Sequence, residues 1–337
     1  MRAVRPLVSV LLPARDAAAT LPACLRSLRR QTLRDWECVL VDDGSRDDTP
    51  RLVRDAARAD PRVRPLTTPG LGIVGALAAG LAECAGLYVA RMDADDLMRR
   101  TRLAAQVAAL EANPALAGVG AHVRLFPRAS LRDGFRAYEA WLNGIRTPED
   151  VVREAFVECP LAHPTLCLRR PVLESAGYRD VPWPEDYDLV LRLLADGRRL
   201  GTVPRRLVAW RDGPARLTRS DPRYGQDRIV ACKAAHLAAG FLAGEPTYRL
   251  WGYGGTGRSL ARALAAEGKH PSHVIEVHPG RIGNRIRGVP TVGPEALGEL
   301  PRGRLVASVA GAGPRAEIRT FLARLGWRDG VDFLCAA

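Results

Sequence analysis

Lysine is almost missing from this chain: of its 50 basic residues only Lys233 and Lys269 are lysine, and the rest are arginine. Aromatic residues are also scarce, at 6%, and they are scattered. A nucleic-acid binder gathers its basic residues on one face and interleaves stacking aromatics. The net charge of +13 is instead spread over both halves of the chain, so no nucleic-acid partner is expected. It reads as a solvated basic surface, or as attraction to phosphorylated substrates or an anionic membrane face. Long apolar runs are lacking too. The longest, Val74 to Met92, is interrupted by Glu83 and Arg91 and reads as a helix followed by a strand, not a membrane span. The run Leu7 to Pro13 is too short for the core of a secretory signal. A cytoplasmic protein is expected, with peripheral association at the inner face of the membrane left open. There is no CxxC. The seven cysteines (Cys24, Cys38, Cys84, Cys159, Cys167, Cys232 and Cys335) are odd in number and widely spaced. They are expected to be reduced packing residues, with neither a zinc site nor a disulfide framework.

What is present is a globular composition, 47% hydrophobic and 26% charged, over 337 residues. That excludes disorder and collagen and suits two domains. Strand and helix signals alternate through the first hundred residues. Leu7–Leu12 is an apolar run. Thr20 can cap a helix carrying Leu21, Leu25 and Leu28 at helical spacing. Glu37–Val41 is a second run, and Asp48 or Thr49 can cap the helix after it, with Pro50 in its first turn. Val63–Leu66 and Leu87–Met92 are further strands, around a glycine-studded helix over 70–86. This alternation predicts an α/β fold with a mostly parallel sheet and helices on both faces. From about Phe126 to Pro182 the pattern weakens and loops are expected, before a helix opens at Trp183-Pro-Glu-Asp-Tyr-Asp188. A polar stretch over 212–227 and a helix over 229–242 follow. Gly244-Glu245-Pro246 reads as a boundary, giving domains of 1–243 and 244–337.

In such sheets ligands bind beyond the carboxyl ends of the strands. Two acidic clusters fall there: Asp42-Asp43 and Asp93-Ala94-Asp95-Asp96. Closely spaced carboxylates can share a divalent cation, and oxygen ligands favour Mg²⁺ or Mn²⁺. The alternative is a polar loop whose Asp96 caps a helix. Asp43 at a strand end can accept the N–H of a pyrimidine base, or simply close a turn with Gly44. Glu185-Asp186 at a helix start is favoured ionised by the helix dipole. It can serve as a general base on an acceptor hydroxyl, or only as the helix's own cap.

Five motifs stand in order: Val8-Ser-Val-Leu-Leu-Pro13, Val41-Asp-Asp-Gly-Ser45, Ala90-Arg-Met-Asp-Ala-Asp-Asp96, His163-Pro-Thr165 and Glu185-Asp-Tyr-Asp-Leu189. Together they resemble a family 2 glycosyltransferase of the GT-A fold, over roughly residues 5 to 220. The resemblance implies a metal-dependent transferase that moves a sugar, with inversion, from a nucleotide diphosphate donor, a UDP-sugar by preference. The acceptor would be a hydroxyl on a glycan, a lipid-linked sugar or a small molecule, with polysaccharide or glycolipid assembly as the setting. By position, Asp43 would hold a uracil-type base, with Pro13 and Arg15 lining the nucleotide pocket. Asp93 would contact the donor ribose or sugar, with Arg91 beside it. Asp95 would bind Mg²⁺ or Mn²⁺, and Asp186, next to Glu185, would be the catalytic base. His163 is a candidate for the acceptor side or a buried structural histidine. The chain departs from the family at Ala14-Arg15-Asp16, where a polar or aromatic set is usual, and around Ala78, where an asparagine is frequent.

The C-terminal stretch carries Gly252-Tyr-Gly-Gly-Thr-Gly257 after a strand signal, with a helix over 258–267 and a second strand reaching Glu276. Gly252, Gly254, Gly257 and Glu276 have the layout of a dinucleotide-binding βαβ unit. The stretch resembles small Rossmann-like modules appended to sugar-modifying enzymes. It suits a structural, regulatory or partner-binding role, or a bound nucleotide. Two other functions compete with transfer. One is an NAD-linked sugar-nucleotide oxidoreductase built on this domain. The other is a non-catalytic sugar-nucleotide sensor.

Overall fold

The structure is a computed structural model that describes residues 5–213 and 216–337. Residues 1–4, ahead of the Leu7 to Pro13 run, and residues 214–215 of the polar 212–227 stretch lie outside the described residues. Two compact units form. One comprises Met1–Val151, Pro160–Val181 and Asp188–Arg216; the other comprises Val152–Cys159, Pro182–Tyr187 and Leu217–Ala337. Among the described residues no helix is long and apolar enough to cross a membrane.

In the first unit β1 (Val8–Ala14), α1 (Leu21–Arg29), β2 (Trp36–Asp43), α2 (Thr49–Ala59), β3 (Val63–Thr68), α3 (Gly72–Ala82) and β4 (Tyr88–Arg91) alternate. Every residue of β1, β2 and β4 is buried, as expected of strands covered on both faces. On α1 the buried residues Leu21, Cys24, Leu25 and Leu28 make one stripe. Then come β5 (Leu97–Met98), α4 (Arg102–Ala112), β6 (Leu116–Phe126), α5 (Asp133–Leu142), α6 (Pro148–Glu154), β7 (Cys167–Arg169), α7 (Arg170–Ala176), α8 (Glu185–Ala195) and β8 (Arg199–Arg211). The sheet order is β3-β2-β1-β4-β7-β6-β8-β5. Four pairings are parallel; β4–β7, β7–β6 and β8–β5 are antiparallel. The sheet is therefore mixed, and its parallel half, β3-β2-β1-β4, is the half read from the sequence.

Several local expectations are corrected. The stretch over 126–182 is not mainly loop: it holds α5, α6, β7 and α7, short elements whose stripes span too few turns to stand out. Thr20 and Asp48 occupy N-cap positions without capping through their side chains. Thr20 Oγ1 donates to the Ala17 carbonyl (3.3 Å), and Asp47 Oδ1 accepts from the Thr49 N–H (2.9 Å). The polar groups here stitch the loop after β1 to the loop after β2. The N–H groups of Asp16, Ala17 and Ala18 donate to Ser45 Oγ (2.9 Å), Thr49 Oγ1 (2.8 Å) and Asp47 Oδ2 (2.9 Å). Within β2 the buried Glu37 is satisfied by Ser9 Oγ (2.6 Å), the Ala85 N–H (2.7 Å) and Arg64 Nη1 (2.9 Å). None of the seven cysteines is in a disulfide, and all but Cys159 are buried.

The second unit contains α9 (Leu217–Ser220), α10 (Gln226–Ala239), β9 (Thr247–Trp251), α11 (Gly255–Ala266), β10 (His270–Ile275), β11 (Arg285–Ile286), β12 (Val289–Val292), β13 (Leu305–Ala307), α12 (Ala312–Arg324) and β14 (Phe333–Cys335). Its sheet runs β11-β12-β10-β9-β13-β14, parallel except for the β11–β12 hairpin. It is an α/β unit with its own core: Val230, Leu237, Leu250, Leu264 and Val306 pack together. The helix α10, drawn by the sequence into the 1–243 domain, packs in this core. The strand read as reaching Glu276 ends at Ile275, and the Glu276 N–H continues the pairing by donating to the Val292 carbonyl (3.0 Å).

Candidate active site

The carboxyl ends of β1, β2 and β4 converge, because these strands are hydrogen-bonded neighbours. Asp43 closes β2 and is buried. Its Oδ1 accepts from Thr68 Oγ1 (2.7 Å) and the Leu71 N–H (2.6 Å), and its Oδ2 from the Gly72 N–H (2.9 Å). Arg15 Nη1 lies 3.6 Å from Oδ2. The carboxylate thus moors the loop that leads into α3. Gly44 has φ +67°, and a Cβ there would sit 2.9 Å from the Gly70 nitrogen, so glycine is required by both conformation and space. Pro13 lies in β1 opposite Val41, beyond the last residue that β1 pairs with β4.

Arg91, the last residue of β4, is buried and pairs with Asp93. Its carbonyl accepts from Arg102 Nη2 (2.7 Å). Asp93, Asp95 and Asp96 each present a carboxylate oxygen, all within 4.8 Å of one another. Asp96 does not cap a helix. It is wholly buried, its Oδ1 accepts from the Arg211 N–H (2.6 Å), and its Oδ2 has no hydrogen-bond partner among the described residues. Burial, and then the charge of Asp93, pushes the Asp95 carboxyl up to about 6. Burial and the charges of Asp93 and Asp95 push Asp96 well above the usual carboxylate range. Three crowded acids with one orphaned buried oxygen are a set of hard donors short of positive charge. They fit a small divalent cation.

His163 is buried, with Nε2 3.1 Å from the Tyr178 hydroxyl. Burial, then the Arg91 charge, holds its pKa well below the usual value, so the imidazole is neutral. Three residues escaped the sequence reading. Arg211, at the end of β8, also donates from Nε to the Asp95 carbonyl (2.8 Å). The fully buried Arg102–Gln106 pair on α4 (3.0 Å) anchors the Arg91 carbonyl through Arg102. Gln106 Nε2 anchors the His163–Thr165 turn through the Thr165 carbonyl (2.7 Å). Residues at i and i+4 share a helix face, but nothing local shows that this face is buried.

Glu185 and Asp186 form the first turn of α8, where the chain is counted with the second unit. Glu185 is buried and its Oε2 accepts from the Tyr224 hydroxyl (2.7 Å). Asp186 is half-buried and its Oδ1 accepts from the Tyr187 N–H (2.8 Å). Also in the second unit, the three fingerprint glycines differ in what they meet. Gly252 has φ +89° and a Cβ there would lie 2.5 Å from Val309; at Gly257 it would lie 2.1 Å from the Gly252 carbonyl oxygen; at Gly254 it would meet nothing. Glu276 Oε1 accepts from the Tyr253 N–H (3.1 Å) and Arg281 Nη1 (3.2 Å).

The model of the family described as Glycosyl transferase family 2 matches residues 9–174. The amylovoran biosynthesis glycosyltransferase AmsE of Erwinia amylovora is 31% identical over 208 residues, covering 61% of this chain and 76% of that protein. An uncharacterized glycosyltransferase of Haemophilus influenzae is 26% identical over 216 residues, covering 61% of this chain and 65% of its own length, just under two thirds. Among solved structures, the Pyrobaculum calidifontis mannosyltransferase PcManGT, in complex with GDP-Man and Mn²⁺, is similar with a TM-score of 0.54 and 23% identity, over 79% of this chain and 70% of that one. S. aureus TarS 1-349, in complex with UDP-GlcNAc, has a TM-score of 0.56 and 15% identity, over 76% of this chain and 71% of that one. At these identities the likeness is one of fold. The matched segment contains the β2 end, the acidic cluster after β4 and the His163 turn, and with the AmsE match it shows that the chain belongs to glycosyl transferase family 2.

Proposed function

We propose that this protein transfers a sugar, with inversion and with a divalent cation, from a nucleotide diphosphate donor of the UDP type to an acceptor hydroxyl. The observation that carries the reading is the Asp93–Asp95–Asp96 cluster at the carboxyl end of a sheet strand, with its orphaned buried oxygen. Asp95 and Asp93 would hold the cation, Mg²⁺ or Mn²⁺, and Asp96 would support the loop from beneath. The ion would supply positive charge against the departing diphosphate. PcManGT is in complex with GDP-Man and Mn²⁺, and TarS with UDP-GlcNAc, both of similar fold. Asp43 accepts from the Thr68 hydroxyl and from the Leu71 and Gly72 N–H groups; a carboxylate has about four acceptor sites, which leaves one for the N–H of a base. Arg15 adds charge on the same side, and Arg91 orients Asp93 towards the donor.

Inversion needs a base on the face opposite the leaving group. Asp186 has that role in this reading: it accepts the proton as the acceptor oxygen bonds to the anomeric carbon. Glu185, locked to Tyr224, steadies the helix start. His163 is neutral and can hydrogen-bond an acceptor hydroxyl without adding charge. Amylovoran assembly, named for AmsE, makes polysaccharide assembly the natural setting.

A panel of nucleotide sugars, with Mn²⁺, Mg²⁺ or chelator, tests the proposal. Metal-dependent release of one nucleoside diphosphate, lost in Asp95→Ala, is expected. With an acceptor, Asp186→Asn lowers transfer by about 10²–10⁴-fold while donor affinity stays unchanged. Donor binding without release, with or without acceptors, would favour a sensor and overturn the reading.

A further inference from the structure

We propose that the second unit binds a pyrophosphate-bearing nucleotide of its own, in the crevice where its first strand meets its neighbours. The inference does not depend on the activity assigned to the first unit. Counted along this unit, the parallel strands β9, β10, β12, β13 and β14 stand in the order third-second-first-fourth-fifth. The order reverses beside β9, and in open parallel sheets the ligand crevice lies at such a reversal, outside the carboxyl ends of the strands. A cavity of about 370 Å³ opens at that place, lined by the turns after β9, β10 and β13.

The cavity wall is built for a phosphate. The chain leaves β9 through Gly252-Tyr-Gly-Gly and enters α11, a helix of 12 residues whose first turn has no side-chain cap. Its leading N–H groups are available to an anion, and the helix dipole favours one. The three glycines divide the work. Gly252 takes a left-handed turn against Val309, Gly257 lets the helix close on the Gly252 carbonyl, and Gly254 keeps an open space on the cavity side of the loop. An open glycine between two crowded ones leaves room for a ligand's backbone contact. Independently, Ser308 at the end of β13 lines the same cavity. It is 3% exposed, and its Oγ has no hydrogen-bond partner among the described residues. A buried hydroxyl without a partner costs free energy unless a ligand or water completes it.

Ribose recognition sits opposite. Glu276, just past β10, faces the cavity with Oε1 held by Tyr253 and Arg281. A carboxylate fixed in this way can accept from a ribose diol. Arg281 also borders an adjoining space of about 270 Å³, lined by Tyr253, Arg258, Asn284 and Ile286. That space would take the nucleobase, with Tyr253 to stack on it. The shared chemistry is a nucleoside diphosphate group with free ribose hydroxyls. It can come from a dinucleotide or from a nucleotide sugar.

The experiment is calorimetric titration of the full chain carrying Asp95→Ala, in EDTA, with NAD⁺, ADP-ribose, UDP-glucose and inorganic pyrophosphate. The substitution and chelator deprive the first unit of its cation, and Gly254→Val reports on the second unit alone. Saturable binding of at least one of the three nucleotides is expected, weakened more than 30-fold by Gly254→Val. The φ of Gly254 is −71° and nothing lies near its Cβ position, so the variant should keep the parent's melting temperature. Glu276→Gln should weaken the nucleotide about tenfold and leave pyrophosphate unchanged. Preference for the adenine ligands identifies a dinucleotide, and preference for UDP-glucose a nucleotide sugar. Failure of every nucleotide to bind, or equal binding by a folded Gly254→Val, overturns the proposal while leaving the transferase reading intact.

Discussion

Arg211 grips the acidic loop twice: its backbone N–H donates to Asp96 Oδ1 at 2.6 Å, and its Nε donates to the Asp95 carbonyl at 2.8 Å. Its guanidinium also lies 4.5 Å from the Phe126 ring centre. If Asp95 holds the cation as proposed, a side chain that fixes its backbone controls the geometry of the site without touching the ion. Outer contacts of this kind are worth about 10–100-fold in metal affinity. Arg211→Ala keeps the backbone bond and loses the other, so Mn²⁺ affinity measured by calorimetry should fall about tenfold. Unchanged affinity would show that the loop holds itself.

Asp95 stands in a crowd of like charges that raises its pKa to about 6, with burial the larger cause. Without metal, Asp95→Asn removes part of that repulsion and should raise the melting temperature. In the parent chain, Mn²⁺ at 100 times its dissociation constant adds about 2.7 kcal/mol. In Asp95→Asn the melting temperature should no longer respond to Mn²⁺. A metal response as large as the parent's would show that Asp95 is not a ligand.

Asp43 and Gly44 are tests of the β2 end. Asp43→Asn cannot accept from both the Leu71 side and the Gly72 N–H, so at least one buried donor loses its partner. The cost is about 1–3 kcal/mol. Gly44→Ala forces an L side chain into φ +67° and against Gly70, at about 1–3 kcal/mol. Both should shift the urea midpoint, whereas Gly213→Ala, where a Cβ would meet nothing, should not. Equal midpoints for Gly44→Ala and Gly213→Ala would refute the packing argument.

The neutral state of His163 predicts a pH dependence with a definite sign. Its folded pKa lies well below the unfolded value of about 6.5. Between those two values the unfolded chain binds the extra proton. The contribution of His163 to stability is therefore complete above about pH 6.5 and is lost progressively as pH falls below it. His163→Gln should lose less stability than the parent between pH 7 and pH 5, read as the difference of two urea series. Parallel losses in the two chains would contradict the assignment.

The parallel half of the first sheet was legible because β1, β2 and β4 are apolar runs ending in punctuation: Pro13, Asp42-Asp43 and Asp93. The acidic cluster was legible for the same reason, since its position follows from the strand before it. The antiparallel half was not. β7 has three residues, and its place between β4 and β6 depends on pairing with chain far away in sequence. Arg211 was invisible because it reaches Asp96 across 115 residues. The caps misled because Thr20 and Thr49 have the right chemistry for helix starts but use it elsewhere: Thr20 bonds back within its own loop, and Thr49 Oγ1 accepts from the loop after β1. In the second unit the glycine pattern was plain. The cavity and the orphaned Ser308 hydroxyl appear only when β13 is laid beside β9.

The second unit is assembled from three stretches of chain, and this sets a schedule for synthesis. Glu154 pairs with Arg319, 165 residues later (2.8 Å), and the Val157 carbonyl accepts from Lys233, 76 residues later (2.7 Å). Tyr187 donates to the Ala155 carbonyl (2.7 Å), and Glu185 waits for Tyr224. As the chain leaves the ribosome, the strands around the acidic cluster can pair early, while Glu185 in the turn bearing Asp186 meets Tyr224 only after 39 further residues have emerged. A nascent chain can therefore form the loop of its acidic cluster before the helix start bearing Glu185 and Asp186 is fixed, and on the proposed reading catalytic competence waits for the second unit to fold.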